Sequence, residues 1–585
     1  MPYKRGVADS ALPDLVGRPT LGQGRGRSRG RRVLIGGGVF VIALCIGYAG
    51  FVRATRIDPP VIDAAVRARA ELPLEVKGTR AYVGGSWMGR ERGVWEIHLY
   101  GEPYAMGWAH GRLGEQLHLL QEDYLFGEFE KYVPSKMARF AIKNLVRFGY
   151  RKLGDYIPRA RAEELAGEAA ADADLHADFL PIYHRLVYYH SLHDITQAIE
   201  HSPLLGCSAF AASGGATTTG HLIIGRNFDF EGPEPFDKEK AVLFFHPQGK
   251  LAFASVAWTG MTGVVTGINA EQIFVSINAA RTEDKGKVGM PVELLMRQIM
   301  EEARSIDDVV RLVKETPVLV PDFYLVGDGK TGESAVIERS PTRIEVRKAH
   351  ADVSILTNHA LTPAFAADAE NDRLKRYLTS GARFRRLDEL VRRFRGTIDP
   401  KRTLEILRDK RGAGGETLGL GNRNALDAII ATHSVIVDAT SMTLWVSAGP
   451  HLLGRFVGYD LKKELGPADG GEDHVGDRAD PPDLPPDPLL GSDELRVYEE
   501  AQAHLRASAK YAPLKDEAAQ RATLDELERA AALQDHMPEP QRLLGDLYRK
   551  RGNTEAARRA YTRFLELSPP YLKDVEEVKG ILGTL

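Results

Sequence analysis

Cysteine is scarce in this chain. Cys45 and Cys207 are the two in 585 residues, and Cys45 lies inside an apolar run, so no disulfide framework organises the fold. Charge of one sign is lacking too: a formal net charge of -3 gives no reason to expect a polyanionic partner. Established metal spacing is missing. His190 and His193 stand three apart on an expected helix, with His184 and Asp194 nearby, and could take part in a metal site, but no H-E-x-x-H pattern supports it. Packed structural histidines are the plainer reading. Gly419-Leu420-Gly421-Asn422 lacks the rest of a phosphate-loop fingerprint, and no strand leads into it.

What is present is a globular composition, 43% hydrophobic and 27% charged, over a length that suggests about three to four units. Residues 1–32 form a basic tail with eight Lys/Arg, five of them in Arg25–Arg32. Val33–Val52 then runs 20 residues without a charge, long enough for a transmembrane helix. The preceding basic residues predict a cytoplasmic N-terminus and an external, periplasmic or extracellular, remainder on a single-pass membrane protein. A cleaved signal peptide is the competing reading, although no small-x-small site follows. The Arg-Gly tract could bind RNA, but its position against the apolar run argues for a membrane role and no nucleic acid.

Residues 53–78 read as a helical stalk, and 79–465 as a mixed α and β domain. Helical periodicity covers 104–200, and strand-turn-strand patterns cover 207–280. Pro291 and Ser305 mark helix starts, and paired strands return at 321–347 and 434–447. The stretch 466–493, dense in Pro, Gly and Asp, reads as a semi-rigid linker that cannot bury a core. Beyond it, 494–585 is helical. Leu544-Gly545, Tyr548, Gly552, Ala557, Tyr561, Phe564 and Pro569 fall on the spacing of a tetratricopeptide repeat (TPR), with Gln541 replacing the usual leading Trp. A plain helical hairpin is the alternative.

Cys207 follows Gly206 and opens the strand-like run Cys207-Ser208-Ala209-Phe210-Ala211-Ala212. After a Ser213-Gly214-Gly215 turn, the chain returns through Leu222-Ile223-Ile224 to Gly225-Arg226-Asn227-Phe228-Asp229. A hairpin would thus bring an Arg and an Asp back towards a thiol. An N-terminal cysteine combines nucleophile and base, because its α-amine titrates near the working pH. Freeing it here requires cleavage of Gly206–Cys207, by attack of the thiol on the Gly206 carbonyl and hydrolysis of the thioester. A residue without a Cβ suits such an attack.

Several blocks resemble the penicillin acyltransferase family of N-terminal nucleophile (Ntn) hydrolases, autoprocessing enzymes related to bile-salt hydrolases and acid-ceramidase-like amidases. Cys207-Ser208-x-Phe210, Ala216-Thr217 and Gly225-Arg226-Asn227-x-Asp229 are similar to the start of the mature β chain. Gly101-Glu102-Pro103-Tyr104-Ala105-Met106-Gly107-Trp108-Ala109-His110-Gly111 is similar to the propeptide-side glycine motif. Gly267-Ile268-Asn269 with Ser276-Ile277-Asn278, Leu356-Thr357-Asn358-His359, Ser380-Gly381-Ala382-Arg383-Phe384, and Thr432-His433-Ser434-Val435 with Leu444-Trp445-Val446 continue the match in order over 79–450.

The resemblance implies an α+β fold, an Ntn αββα sandwich of two antiparallel sheets between helical layers, and self-cleavage into fragments of 206 and 379 residues. It implies Cys207 as nucleophile, with Arg226 and Asp229 orienting amine and thiol and holding the thiolate near neutral pH. Asn358 and a backbone N–H of Asn269 would form the oxyanion hole, and Arg383 would complete the network. Asn269 and Asn278 also read as turn or cap residues, and Gln272 stands where relatives often have a turn glycine. The expected reaction is acyl transfer from an amide or thioester, such as an N-acyl amide, to water or an amine, with no cofactor. An inactive scaffold recruiting a protein through the TPR-like tail is the alternative.

Overall fold

A computed structural model of the chain describes residues 26–198, 205–230, 234–286, 288–466, 479–511 and 516–585. Most of the basic N-terminal tail and linker residues 467–478 therefore lie outside the described residues. The chain divides into two units, Met1–Arg56 and Ile57–Leu585. In the first, a helix spans Gly26–Ala54. Its Gly37–Ala54 stretch is long and apolar enough to cross a membrane, properties that a signal sequence shares, and none of it is buried within the protein. Cys45 is exposed on this helix.

The second unit is built on two sheets. Among the described residues, the larger has eleven strands and the smaller six. The smaller runs, in spatial order, Val353–Leu356, Leu205–Gly214, Gly220–Phe230, His433–Asp438, Thr443–Ser447 and Phe456–Asp460, each antiparallel to its neighbour. The larger sheet includes Trp95–Gly101, Ala241–Pro247, Phe253–Ala257, Thr266–Asn269, Ile273–Ala279 and Asp322–Asp328. One pair in it departs from the antiparallel expectation: Trp95–Gly101 runs parallel to Ala241–Pro247. A parallel pair needs a long crossover. Here the crossover contains the helices of 103–198 and the first hairpin of the smaller sheet.

Alternation along the strands sorts side chains into layers. Phe244, Val256, Phe274 and Leu325 of the larger sheet meet Ala209, Ala211, Ile224, Val435 and Val446 of the smaller. The opposite residues of the larger sheet, among them Ile97, Phe245, Val275 and Val326, pack on Met106, Leu113, Leu295 and Ile299 from helices Pro103–Tyr132 and Val292–Glu302. Phe210, Ile223, Ile436 and Trp445 of the smaller pack on Leu387, Leu390, Leu404 and Leu407 from helices Ser380–Arg393 and Pro400–Leu407. The order helix, sheet, sheet, helix follows from these contacts.

Glycines set one helix crossing. A Cβ at Gly107 would lie 1.8 Å from the Glu164 carbonyl oxygen, and one at Gly167 would lie 2.2 Å from that of Tyr104. Helix Pro103–Tyr132 can therefore touch helix Arg159–Ala171 backbone to backbone.

Two segments differ from expectation. The region 53–78 is not a separate helical stalk. Ile57 and Ala70 are buried with Tyr104 and Leu165, the helix is limited to Ala64–Ala70, and Leu74–Lys77 joins the larger sheet. Its apolar side chains had a core to enter. The Pro-rich stretch after residue 478 likewise packs as a strap: Leu484 is buried in the core beneath Trp445 and Phe456, and its backbone pairs with Phe456. One leucine among prolines is enough to anchor an extended segment against an existing sheet, a contact that composition does not reveal.

The C-terminal helices Asp493–Tyr511, Glu517–Leu533, Pro538–Lys550, Thr554–Glu566 and Leu572–Leu582 pack mostly with chain neighbours. The last residue of the Leu544-Gly545 pair meets the Tyr561 ring, 2.4 Å from where a Cβ would stand.

Candidate active site

The hairpin carrying Cys207 pairs Gly206 with Asp229, Cys207 with Phe228, and Ala209 with Arg226. Cys207, Ala209, Arg226 and Phe228 therefore share the face between the sheets. Asp229 and Ser208 point to the other face, towards helix Ser380–Arg393. Cys207 is fully buried, whereas Gly206 is partly exposed.

Two distant segments grip the chain at Cys207. Its N–H donates to Asn358 Oδ1 at 3.1 Å. Arg383 donates to the Cys207 carbonyl, to Ser208 Oγ at 2.9 Å and to Asn358 Oδ1 at 2.6 Å. Asn358 Nδ2 in turn donates to the Ala279 carbonyl at 2.9 Å, tying the smaller sheet to the larger. Ser380 Oγ, at the start of the Arg383 helix, accepts from the Asn358 N–H at 2.8 Å. A Cβ built on Gly206 would stand 3.3 Å from Asp229 Oδ2 and 3.6 Å from Arg383 Nη2. The backbone on the N-terminal side of Cys207 thus lies between a carboxylate and a guanidinium.

Arg226 crosses from the smaller sheet to the larger, donating to Thr266 Oγ1 and to the Ile277 carbonyl. Its guanidinium lies over the Phe228 ring at 4.8 Å. Burial brings its pKa down to about 10, while the neighbouring Cys207 and Asp229 favour its charge. His433 stacks on Phe228, and its Nε2 lies 3.0 Å from Thr266 Oγ1. Burial, with Arg226 beside it, holds His433 neutral.

Burial pushes the Cys207 thiol up, and this outweighs the opposing pull of Arg226 and Arg383. Two cations favour the thiolate, but desolvation of a fully buried sulfur favours the protonated thiol.

The structure brings together Cys207, Arg226, Asp229, Asn358 and Arg383. It does not bring Asn269 into the group. The Asn269 side chain donates to the Met300 and Ala303 carbonyls at 3.1 and 2.8 Å, and accepts from Glu271 and Ile273. It closes the C-terminus of helix Val292–Glu302 and the turn through Gln272, which adopts a left-handed φ of 61° without being glycine. Three residues of strand, about 10 Å, separate it from Thr266 beside Arg226. Asn278 is the asparagine on that hairpin which reaches the site, donating to the Thr357 carbonyl at 2.9 Å, one residue before Asn358. The alternation of Phe274, Ser276 and Asn278 held the signal for it. His433, Ser208 and Thr266 were not singled out as site residues, because their placement depends on inter-strand register.

Two histidines of the alternative metal reading, His190 and His193, are occupied. His190 accepts from the Thr262 N–H at 2.9 Å and its other nitrogen faces the Leu186 carbonyl, while His193 pairs with Asp322 at 2.7 Å. Among the described residues no group of three His, Cys, Asp or Glu side chains is arranged to hold a metal.

Residues 216–426 match the sequence model of the acyl-coenzyme A:6-aminopenicillanic acid acyl-transferase family. The resemblance to the penicillin acyltransferase family holds. The matched stretch takes in Arg226, Asp229, Asn358 and Arg383, and begins nine residues after Cys207. An uncharacterized protein of Archaeoglobus fulgidus is 26% identical over 360 residues, covering 54% of this chain and 58% of that protein. The N-acylethanolamine-hydrolyzing acid amidase of Caenorhabditis elegans is 26% identical over 37% of this chain and 61% of its own. The chain spans between half and three fifths of the first curated relatives it matches. Among solved structures, a C. elegans N-acylethanolamine-hydrolyzing acid amidase ortholog aligns over 40% of this chain and 93% of its own, at 19% identity and a TM-score of 0.30. A mutant of the conjugated bile acid hydrolase of Clostridium perfringens aligns over 47% and 96%, at 13% identity and 0.31.

Proposed function

We propose that this chain is a self-cleaving thiol amidohydrolase or acyltransferase, anchored to a membrane by its N-terminal helix, that uses Cys207 as its nucleophile. The observation that carries this is the hold on the Gly206–Cys207 peptide. Asp229, Asn358 and Arg383, distant in sequence, converge on its two residues, a degree of organisation that a passive strand does not need.

In the maturation step, Cys207 Sγ attacks the Gly206 carbonyl carbon. The thiol proton passes to the Cys207 nitrogen as the C–N bond breaks, leaving a thioester that water hydrolyses, while the Asp229 carboxylate beside Gly206 holds the peptide in place. The products are a C-terminal Gly206 carboxylate and a free α-amine on Cys207. One Nδ2 hydrogen of Asn358 is committed to Ala279, leaving the other for the oxyanion. A donor of this kind contributes about 2.7–4 kcal/mol to such a transition state.

In turnover, the α-amine takes the thiol proton, Sγ attacks an amide carbonyl, and the amine leaves protonated. Water or a second amine then accepts the acyl group. Arg226 and Arg383 favour the thiolate once cleavage opens the site. The names of the relatives support an N-acyl amide as substrate.

Denaturing mass spectrometry of the full-length protein, purified in detergent beside Cys207→Ala, tests the reading. It requires a fragment starting at Cys207 in the first and an intact chain in the second, followed by Cys207-dependent hydrolysis of an N-acyl amide panel. An intact chain in both samples refutes it.

A further inference from the structure

Helix Lys136–Gly149 turns its apolar side outward. Met137, Phe140, Leu145 and Phe148 are exposed, Met137 to 79% and Leu145 to 71%. With Ala141 they share one face of the helix, at the spacing set by its 3.6-residue turn. The cations Lys136, Arg139, Lys143 and Arg147 follow the same spacing on the other side, and Arg147 is only 5% exposed. Arg139 donates to the Val133 and Pro134 carbonyls at 2.9 and 3.2 Å, and the Lys143 ammonium stands over the Phe179 ring at 5.4 Å. A helix facing water does the reverse, keeping its charges outward and its apolar side on the core. Exposed apolar side chains gathered on one face mark a surface that meets a partner.

Charge selects the occupant. Residues 131–154 hold seven Lys/Arg and no Asp or Glu. Phe, Leu and Met outward with cations at their edge is the composition of a helix lying in the plane of a bilayer surface, its apolar face among the acyl chains and its Lys and Arg beside anionic headgroups. An acidic soluble partner would instead be met by outward cations.

The path of the chain gives a second argument. Ile57 stands three residues after Ala54, the end of the apolar N-terminal helix. Within the second unit Ile57 is buried in one cluster with Leu153 and Ile157, and Val146 of helix Lys136–Gly149 packs against that cluster. A Cβ at Gly154 would lie 3.0 Å from Ile57 Cγ2. The chain that leaves the apolar helix thus enters this unit at the foot of helix Lys136–Gly149.

We propose that helix Lys136–Gly149 lies in the surface of an anionic membrane, with Met137, Phe140, Leu145 and Phe148 dipped into the boundary between headgroups and acyl chains. This rests on the reading of the N-terminal helix as an anchor, and goes beyond it by assigning the face of the second unit that meets lipid.

The test uses the full-length protein carrying Leu145→Cys and Arg392→Cys together, reconstituted into vesicles. The Arg392 side chain is 76% exposed, on helix Ser380–Arg393 against the smaller sheet. A membrane-impermeant maleimide labels both sites, and peptide mass mapping separates them from Cys45 and Cys207. The ratio of labelling at 145 to labelling at 392 cancels differences in vesicle sidedness. In phosphatidylglycerol vesicles this ratio is expected to fall about tenfold below that in phosphatidylcholine vesicles, the preference that one or two cations near an anionic surface supply. An equal ratio in the two vesicles overturns the proposal. Protection of residue 145 that grows with protein density in the vesicles also overturns it, and assigns the face to a second copy of the chain. Retention of the protein after an alkaline carbonate wash is scored separately. Release by the wash sinks the anchor reading, while a low ratio in anionic vesicles before the wash keeps the docking surface.

Discussion

Asn358→Ala is the sharpest perturbation of the candidate site. Its Oδ1 accepts from the Cys207 N–H at 3.1 Å and from Arg383 at 2.6 Å, and its Nδ2 donates to Ala279 at 2.9 Å. Truncation leaves all three partners buried with a hydrogen bond lost, and each loss costs about 1–3 kcal/mol. Only the first two bear directly on the scissile peptide. Allowing for relaxation, about 2–4 kcal/mol falls on the self-cleavage transition state, a slowing of roughly 30- to 900-fold. The assay follows the fragment beginning at Cys207 by denaturing mass spectrometry after rapid purification, with circular dichroism confirming that the variant is folded. A folded variant cleaving within threefold of wild type would refute the reasoning, because Asn358 could not then be holding the peptide for attack.

Two further predictions concern the frame. Gly107→Ala places a methyl 1.8 Å from the Glu164 carbonyl oxygen, so the helices must separate. We expect a loss of about 1–3 kcal/mol, read as a lowered denaturation midpoint, and no change there would contradict the crossing. Glu168, held up to about 8 by burial, stays protonated in the folded protein at pH values where the unfolded chain has released its proton. Its contribution to stability is present below about pH 4.5 and is lost as pH rises towards 8. Glu168→Gln should therefore flatten the fall in melting temperature between pH 5 and 8, and a slope identical to wild type would disprove the assignment.

The hairpin at Cys207 was legible because its determinants are local: a strand-like run, a glycine turn and a return at fixed spacing. Asn358 and Arg383 could be named through motif resemblance, although nothing in their own spacing to Cys207 predicts contact. The choice between Asn269 and Asn278 was not legible. Both lie on the same hairpin, and strand alternation together with register sends one to a helix end and the other to the site.

The protonation of the thiol depended on tertiary structure for a different reason. Neighbouring cations can be anticipated from residue types, whereas desolvation depends on everything packed around the sulfur. The stalk and the proline strap show the same limit, since composition describes what a segment can do alone and burial depends on whether a core lies within reach.

From the sequence alone came the scarce, unpaired cysteines, the apolar N-terminal run, the Cys207 hairpin and the family resemblance, all properties of residue order over short range. Tertiary structure decided that Arg226 would span two sheets, that Asn358 would tie them at Cys207, and that Ile429 and Leu453 would be buried against the C-terminal helices. Those outcomes arise from contacts between segments tens to hundreds of residues apart, where register and packing select the partners.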